Sequence, residues 1–334
     1  MPIQSTPLRV PLLCLFVVGC ATAQPKPEVK AAAPLPPPRV EKLREPLEVT
    51  PFELHFSGLR GAATATESVT VKNAGSAPVQ VSELRVVGVQ ASTFKIANAP
   101  LLPLVLQPSA SFAFGVGFEP AADADPGVHH GRVRLVLTED DDGPPCDLTG
   151  LVTKSKERAD EPPLSQVLDA LGYDVDVGSP ALALPAAKAG DQVESFVFQR
   201  AKPGSVGYYL MARYTAEEES IFGYYVVEGG KPALRGIGSS SKAHNQTLNP
   251  ELESESQASF DPGESTFGLY LKVGKRTLYS DPGLNSGTAA VRVYPLRSRG
   301  RALVPDAFVV AYDQDGDGDF QDHVFMLWNV KPAQ

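Results

Sequence analysis

Cysteine, tryptophan and basic charge are all scarce in this sequence, and each scarcity removes a class of explanation. Of the 3 cysteines in 334 residues, Cys14 and Cys20 stand near the start and Cys146 is alone in the remainder. A chain processed after its leader therefore has no pair for an internal disulfide, and its stability must come from burial. Lysine and arginine number 30 against 39 aspartate and glutamate, giving a formal net charge of -9 and a pI near 5.2. That balance is the opposite of a nucleic-acid-binding face, so no nucleic-acid partner is expected. The usual catalytic signatures are missing as well: there is no G-x-S-x-G, H-E-x-x-H, C-x-x-C or G-x(4)-G-K-[ST]. Gly230-Lys231 and Gly274-Lys275 lack the upstream glycine of a phosphate loop, and Gly236-Ile237-Gly238 is followed by Ser241 where a dinucleotide fingerprint needs glycine. A two-carboxylate glycosidase is the enzyme class that survives, because its acid pair comes from distant segments. The expectation is a non-catalytic protein.

What the chain does contain is 29 glycines, 31 prolines and 43% hydrophobic residues, the composition of short strands joined by turns. Residues 8–18 form an apolar segment containing a single basic residue, Arg9, too short to span a bilayer but suited to a signal-peptide core. It runs into Val17-Val18-Gly19-Cys20, which resembles the lipobox of bacterial lipoproteins. The resemblance implies that residues 1–19 are removed, that Cys20 is acylated, and that the protein is a cell-envelope lipoprotein anchored in a membrane. Ala21 in place of aspartate implies the outer membrane. The alternative is a plain secretory signal cut at Ala21-Thr22-Ala23. Residues 20–47 hold the cluster Pro34, Pro36, Pro37 and Pro38 and too few large apolar residues for a core. They are expected to act as a tether of at most about 80 Å in polyproline II geometry, at ~3.1 Å per residue.

From residue 48 the pattern alternates with period two in short runs at 52–56, 68–71, 79–81, 94–96, 112–118 and 133–137. Turn residues separate them at β-sandwich spacing. Val69-Thr70-Val71-Lys72-Asn73-Ala74-Gly75, Phe114-Gly115-Val116-Gly117-Phe118-Glu119-Pro120 and the closing Leu148-Thr149-Gly150 resemble the immunoglobulin-like ASH domains. This resemblance covers 48–153 and implies a binding or spacer module without catalytic residues. His129-His130 is expected in a surface loop and makes a poor chelate, since neighbours on a strand point to opposite faces. The acidic run Glu139-Asp140-Asp141-Asp142-Gly143 is expected to be a solvated hairpin turn. Cys146 is expected to be a small buried hydrophobe.

Polar residues 154–163 mark a linker. A helix should follow, with Asp160 as its cap, Leu164, Val167, Leu168 and Leu171 on one face, and Gly172 at its end. Beyond it, apolar runs at 196–198, 207–211, 221–227, 267–271, 291–294, 307–312 and 324–328 predict a second, larger sandwich over 164–334. The fold class expected is thus all-β, two sandwiches with one short helix. Phe222-Gly223-Tyr224-Tyr225 and Phe267-Gly268-Leu269-Tyr270 echo each other, and a glycine inside a strand marks a bulge or a close backbone approach. Tyr224, Tyr225 and Tyr270 are candidate contacts for a glycan ring, set against ordinary core and sheet packing.

Near the end, Asp313, Asp315, Asp317, Asp319 and Asp322 crowd one connection between two apolar runs, with no basic residue among them. Carboxylates about 6 Å apart repel by roughly 0.7 kcal/mol per pair even in water, so the loop favours either a hard cation such as Ca2+ or an open, solvated turn. Five aspartates are the candidate ligands. Compared with an EF-hand loop, Asp313 to Asp319 fill the early places, but Val324 stands where a bidentate glutamate is required and strands are expected on both sides. With Asp261-Pro262-Gly263, Tyr279-Ser280-Asp281 and this terminal hairpin, residues 164–334 resemble a calcium-associated β-sandwich domain of unknown function from secreted and surface bacterial proteins. The partners then expected are an envelope glycan or protein, and the competing roles are a structural spacer or a glycoside hydrolase.

Overall fold

Every run of period-two alternation becomes strand. The computed structural model describes residues 46–138, 141–155, 160–178, 190–215 and 218–333. The leader with Cys20, the tether as far as residue 45, Glu139 and Asp140, and residues 156–159 of the linker lie outside the described residues; Leu47, expected at the end of the tether, instead opens the first strand and is buried.

The first half contains β1 (Leu47–Thr50), β2 (Glu53–Leu59), β3 (Glu67–Asn73), β4 (Val79–Val81), β5 (Glu83–Val87), β6 (Phe94–Ala97), β7 (Leu104–Leu106), β8 (Ser111–Phe118), β9 (Gly127–Val136) and β10 (Cys146–Thr153). They build two four-stranded sheets, β1-β3-β8-β6 and β2-β10-β9-β5, with β4 and β7 as a small separate pair. Pairing is antiparallel except between β2 and β10, which run parallel. In β3 the valines at 69 and 71 point into the core while Ser68, Thr70 and Lys72 stay outside. Asn73 ends that strand fully buried. Its side-chain amide donates to the carbonyls of Ala77 and Leu106, and its Oδ1 accepts from the Gly75 amide, so the Asn-Ala-Gly turn is fixed by one side chain. Cys146 is buried and its thiol is pushed up to about 12, chiefly by burial, which makes it the inert hydrophobe expected. The histidines correct the loop expectation: they lie within β9, His129 buried with Nε2 2.9 Å from the Asp125 carbonyl and His130 exposed on the opposite face.

The second half contains α1 (Leu164–Ala170), β11 (Val197–Arg200), β12 (Val206–Arg213), β13 (Ser220–Glu228), β14 (Lys231–Ser240), β15 (Thr247–Leu248), β16 (Ser259–Phe260), β17 (Phe267–Val273), β18 (Arg276–Tyr279), β19 (Val291–Arg297), β20 (Leu303–Tyr312), β21 (His323–Trp328) and β22 (Val330–Pro332). One sheet runs β14-β13-β17-β11-β22, with β18 on β17, and the other runs β15-β12-β21-β20-β19, with β16 on β12. The fold is all-β with one short helix. Leu164, Val167 and Leu168 are the buried face of α1, and Gly172 ends it at φ +82° with its amide on the Asp169 carbonyl. Asp160 does not cap the helix, because Pro163 takes the cap position and Asp160 lies 3.8 Å from the Lys154 ammonium instead.

β20 and β21 sit inside their sheet and are covered on both sides. Ala307, Val309, Ala311, Val324 and Met326 enter a cluster with α1 and with Leu151 of β10. Phe308, Val310, Tyr312, Phe325 and Leu327 enter a second cluster facing β13 and β17. Each alternate side chain therefore serves a different core, and each fully buried large one contributes roughly 1.5–3 kcal/mol. A register shift at Leu210/Ala212 in β12 places both Met211 and Ala212 in the first of these cores.

Candidate metal centre

The antiparallel pairing of β20 and β21 runs up to Tyr312 opposite His323, so residues 313–322 are held as a loop by two buried strand ends. Gly316 at φ +77° and Gly318 at φ +90° allow the chain to curl back on itself. Buried Asp313 sits at the centre of that curl: Oδ1 accepts from the Gly316 amide at 2.6 Å and Oδ2 from the Gly318 amide at 3.1 Å. At the other end buried Asp322 accepts with Oδ2 from the amides of Gln314 at 2.5 Å and Asp315 at 3.2 Å. Phe320, at φ +57°, is buried in the core shared with α1, and the Arg292 guanidinium lies 4.4 Å from its ring centroid.

These contacts bring oxygens of Asp313, Asp317 and Asp319 within 4.8 Å of one another. Among the described residues no lysine or arginine forms an ion pair with any of the three. Burial pushes the Asp319 carboxyl up to about 7; hydrogen bonding from Gln321 opposes this, and the charges of Asp317 and Asp313 add to it. Asp313 is raised by burial too, against the pull of the Gly316 amide. Asp319 Oδ1 is buried with no hydrogen-bond partner. An all-oxygen donor set with an orphaned buried oxygen and uncompensated negative charge fits a hard divalent cation.

The five candidate aspartates thus divide. Asp313, Asp317 and Asp319 converge. Asp322 is a structural acceptor turned onto backbone amides, with its carboxyl pushed up to about 9 chiefly by burial. Asp315 stands outside the converging group. Val324 is fully buried among apolar side chains, so the EF-hand comparison fails at its last position, and strands flank the loop as expected.

The aromatic candidates are corrected. Tyr225 and Tyr270 are only 2% and 4% exposed and offer no ring face to a ligand. An added Cβ at Gly268 would overlap the Tyr225 ring, and one at Gly223 would meet Tyr270 and the Arg235 carbonyl. The two glycines are notches that seat tyrosines from the neighbouring strand, and the β13–β14 register shifts at Phe222/Gly223. Tyr224 is half-buried and stacked on Phe260 at 4.2 Å between centroids. Sequence reasoning passed over Glu161, Gln246 and Gln321. Glu161 lies 160 positions from Gln321, yet its Oε2 accepts from Gln321 Nε2 at 3.1 Å. No local pattern marks so distant a contact.

No family model matches the sequence, and no curated protein matches it. Distant likenesses to solved structures include the ASH/PapD-like domain 7 of human CEP192, at 13% identity over 39% of this chain and 99% of that domain, with a TM-score of 0.25. The E. coli chaperone DraB shows 11% identity over 77% of this chain and 93% of its own, with a TM-score of 0.25. A family 123 glycoside hydrolase from Clostridium perfringens shows 14% identity over 34% of this chain, which spans 24% of that enzyme, with a TM-score of 0.25.

Proposed function

We propose that this is a non-catalytic cell-envelope module, held to the outer membrane by a lipid on Cys20 and stiffened by calcium at Asp313, Asp317 and Asp319. The observation that carries the calcium reading is the convergence of those three carboxylates, with one buried oxygen unpartnered and no ion pair from them to lysine or arginine among the described residues. The chain's own residues position the site: backbone amides of Gly316 and Gly318 hold Asp313, and those of Gln314 and Asp315 tie down Asp322. The ion supplies the positive charge the ring lacks. Burial of Tyr225 and Tyr270 removes the stacking surface on which glycan binding would rest. It favours a spacer or a module that binds protein at the envelope surface.

Thermal melts in chelator, calcium and magnesium test the calcium reading. With an extracellular-type Kd of about 0.1–1 mM, 1 mM calcium should add about 0.4–1.4 kcal/mol of stability. Magnesium should act weakly, because it demands a tighter octahedron and holds its water. Asp317→Asn with Asp319→Asn should abolish the calcium shift while leaving the metal-free protein no less stable, since repulsion is relieved. Identical midpoints for the wild type in chelator and in saturating calcium would reduce the loop to an acidic turn. The anchor is tested separately: Cys20→Ala should lose acylation and membrane retention, and wild-type protein recovered soluble and unmodified would overturn it.

A further inference from the structure

The linker between the sandwiches enters the second one at Glu161, a half-buried carboxylate gripped on both sides. Its Oε1 accepts from Gln246 Nε2 at 2.5 Å and its Oε2 from Gln321 Nε2 at 3.1 Å. Both glutamines are buried, Gln321 at 1% exposure. Gln321 stands two residues after Asp319, a member of the converging acid group, so one buried amide of the hairpin reaches directly to the carboxylate of the linker.

The same corner is tied to the first sandwich. The Tyr214 amide donates to the Asp322 carbonyl at 3.0 Å, while its hydroxyl donates to Ser57 Oγ of β2 at 2.8 Å. His55 Nδ1 of β2 lies 2.7 Å from the carbonyl of Ala170, the last residue of α1. Hydrogen bonds therefore tie hairpin to linker, hairpin to first sandwich and helix to first sandwich at three separate places.

We propose that a cation in the hairpin fastens the joint between the two sandwiches, acting through Gln321 and Glu161. The proposal rests on the calcium reading above. The amides of Gln321 and Gln246 hold Glu161 while the charges of Asp317 and Asp315 press on it. A divalent ion that takes Asp319 oxygen as a ligand cancels the loop's charge, which relieves that pressure and strengthens the clamp on Glu161. Because coupling is reciprocal, a clamped joint also tightens the ion. Glu161 and Gln246 are positioning residues in this scheme and touch no ion.

Hydrogen exchange on the full chain, with calcium chloride as the sole addition and calorimetry on the same samples, tests it. In the wild type, saturating calcium should slow exchange about tenfold in residues 314–318 and also in 167–173 of the helix and its end. Glu161→Ala should keep the slowing at the hairpin and lose it at the helix, with calcium affinity falling about fivefold. Gln246→Asn, one methylene too short to reach Glu161, changes no charge and suits the φ of +56° at that position, so it should act in the same direction. Calcium binding with protection confined to 313–322 in the wild type would overturn the joint while leaving the calcium site standing. No calcium heat would overturn both.

Discussion

Two acidic turns close strand connections in this protein, and they dispose of their charge in opposite directions. After β9 the chain turns at Asp141-Asp142-Gly143, held by the Leu137 amide on the Asp141 carbonyl and the Gly143 amide on the Leu135 carbonyl. Asp142 swings outward onto the guanidinium of Arg134 in the same strand it follows. After β20 Asp313 and Asp322 turn inward instead, Asp319 is half-buried and Asp317 stays exposed. Asp313 and Asp322 accept four backbone amides, and the oxygens of Asp313, Asp317 and Asp319 gather with no ion pair to lysine or arginine among the described residues, the Arg276 guanidinium going to the Gln314 carbonyl instead. Both stretches are strongly acidic; among the described residues, the burial of Asp313 and Asp322 and the lack of an ion pair to the converging carboxylates separate a candidate metal centre from a solvated turn.

Removing the acceptor that closes the second turn is the severest way to break this contrast. Asp322→Ala strands two amides in a buried setting, and denaturant melts should show a loss of about 2–4 kcal/mol. Asp322→Asn keeps an oxygen for those amides and removes a charge, so in chelator at neutral pH it should be at least as stable as the wild type. The pH dependence sharpens the point. A carboxyl whose folded pKa is raised binds its proton more tightly when folded, so the stability it contributes is full below the unfolded value of 3.8 and is lost as pH rises through about 7 for Asp319 and about 9 for Asp322. Metal-free wild type should therefore lose stability between pH 5 and pH 9, and Asp322→Asn should flatten the upper part of that fall. A metal-free profile level across this range would contradict the inward burial of these acids.

The first turn should respond least. Arg134→Ala removes a partly exposed ion pair and should cost about 0.2–1 kcal/mol, with no change in the response to calcium. A loss as large as that of Asp322→Ala would mean that the two turns are built alike.

How far such differences are legible before folding depends on whether the deciding contact is local. The alternation of Val69, Val71 and the apolar stretch 307–312 is local, so strands and the terminal hairpin could be read directly. β14 escaped because it is an edge strand carrying Pro232 whose exposed residues Leu234, Arg235 and Gly236 follow one another, which erases the alternation. β22 escaped as an edge strand too, with Pro332 at its end. The echo of Gly223 and Gly268 correctly marked a bulge and close packing. It does not say which face of the sheet is covered, so ligand contact and core packing stay open for Tyr225 and Tyr270 until their burial decides for packing. Within the acid loop, spacing could not distinguish Asp322, which serves backbone amides, from Asp319, which lacks a partner for one oxygen.

The double duty of β20 and β21 sets how this molecule can be cut and recombined. Ala307, Val309 and Ala311 complete a core with the helix and β10, while Phe308 and Val310 complete another with β13 and β17. The described residues accordingly belong to one compact unit. A gene fragment ending before residue 303 would lose the common wall of two rooms at once. Parting the halves at the linker likewise uncovers the part of that wall which Leu151 of β10 closes beside the helix.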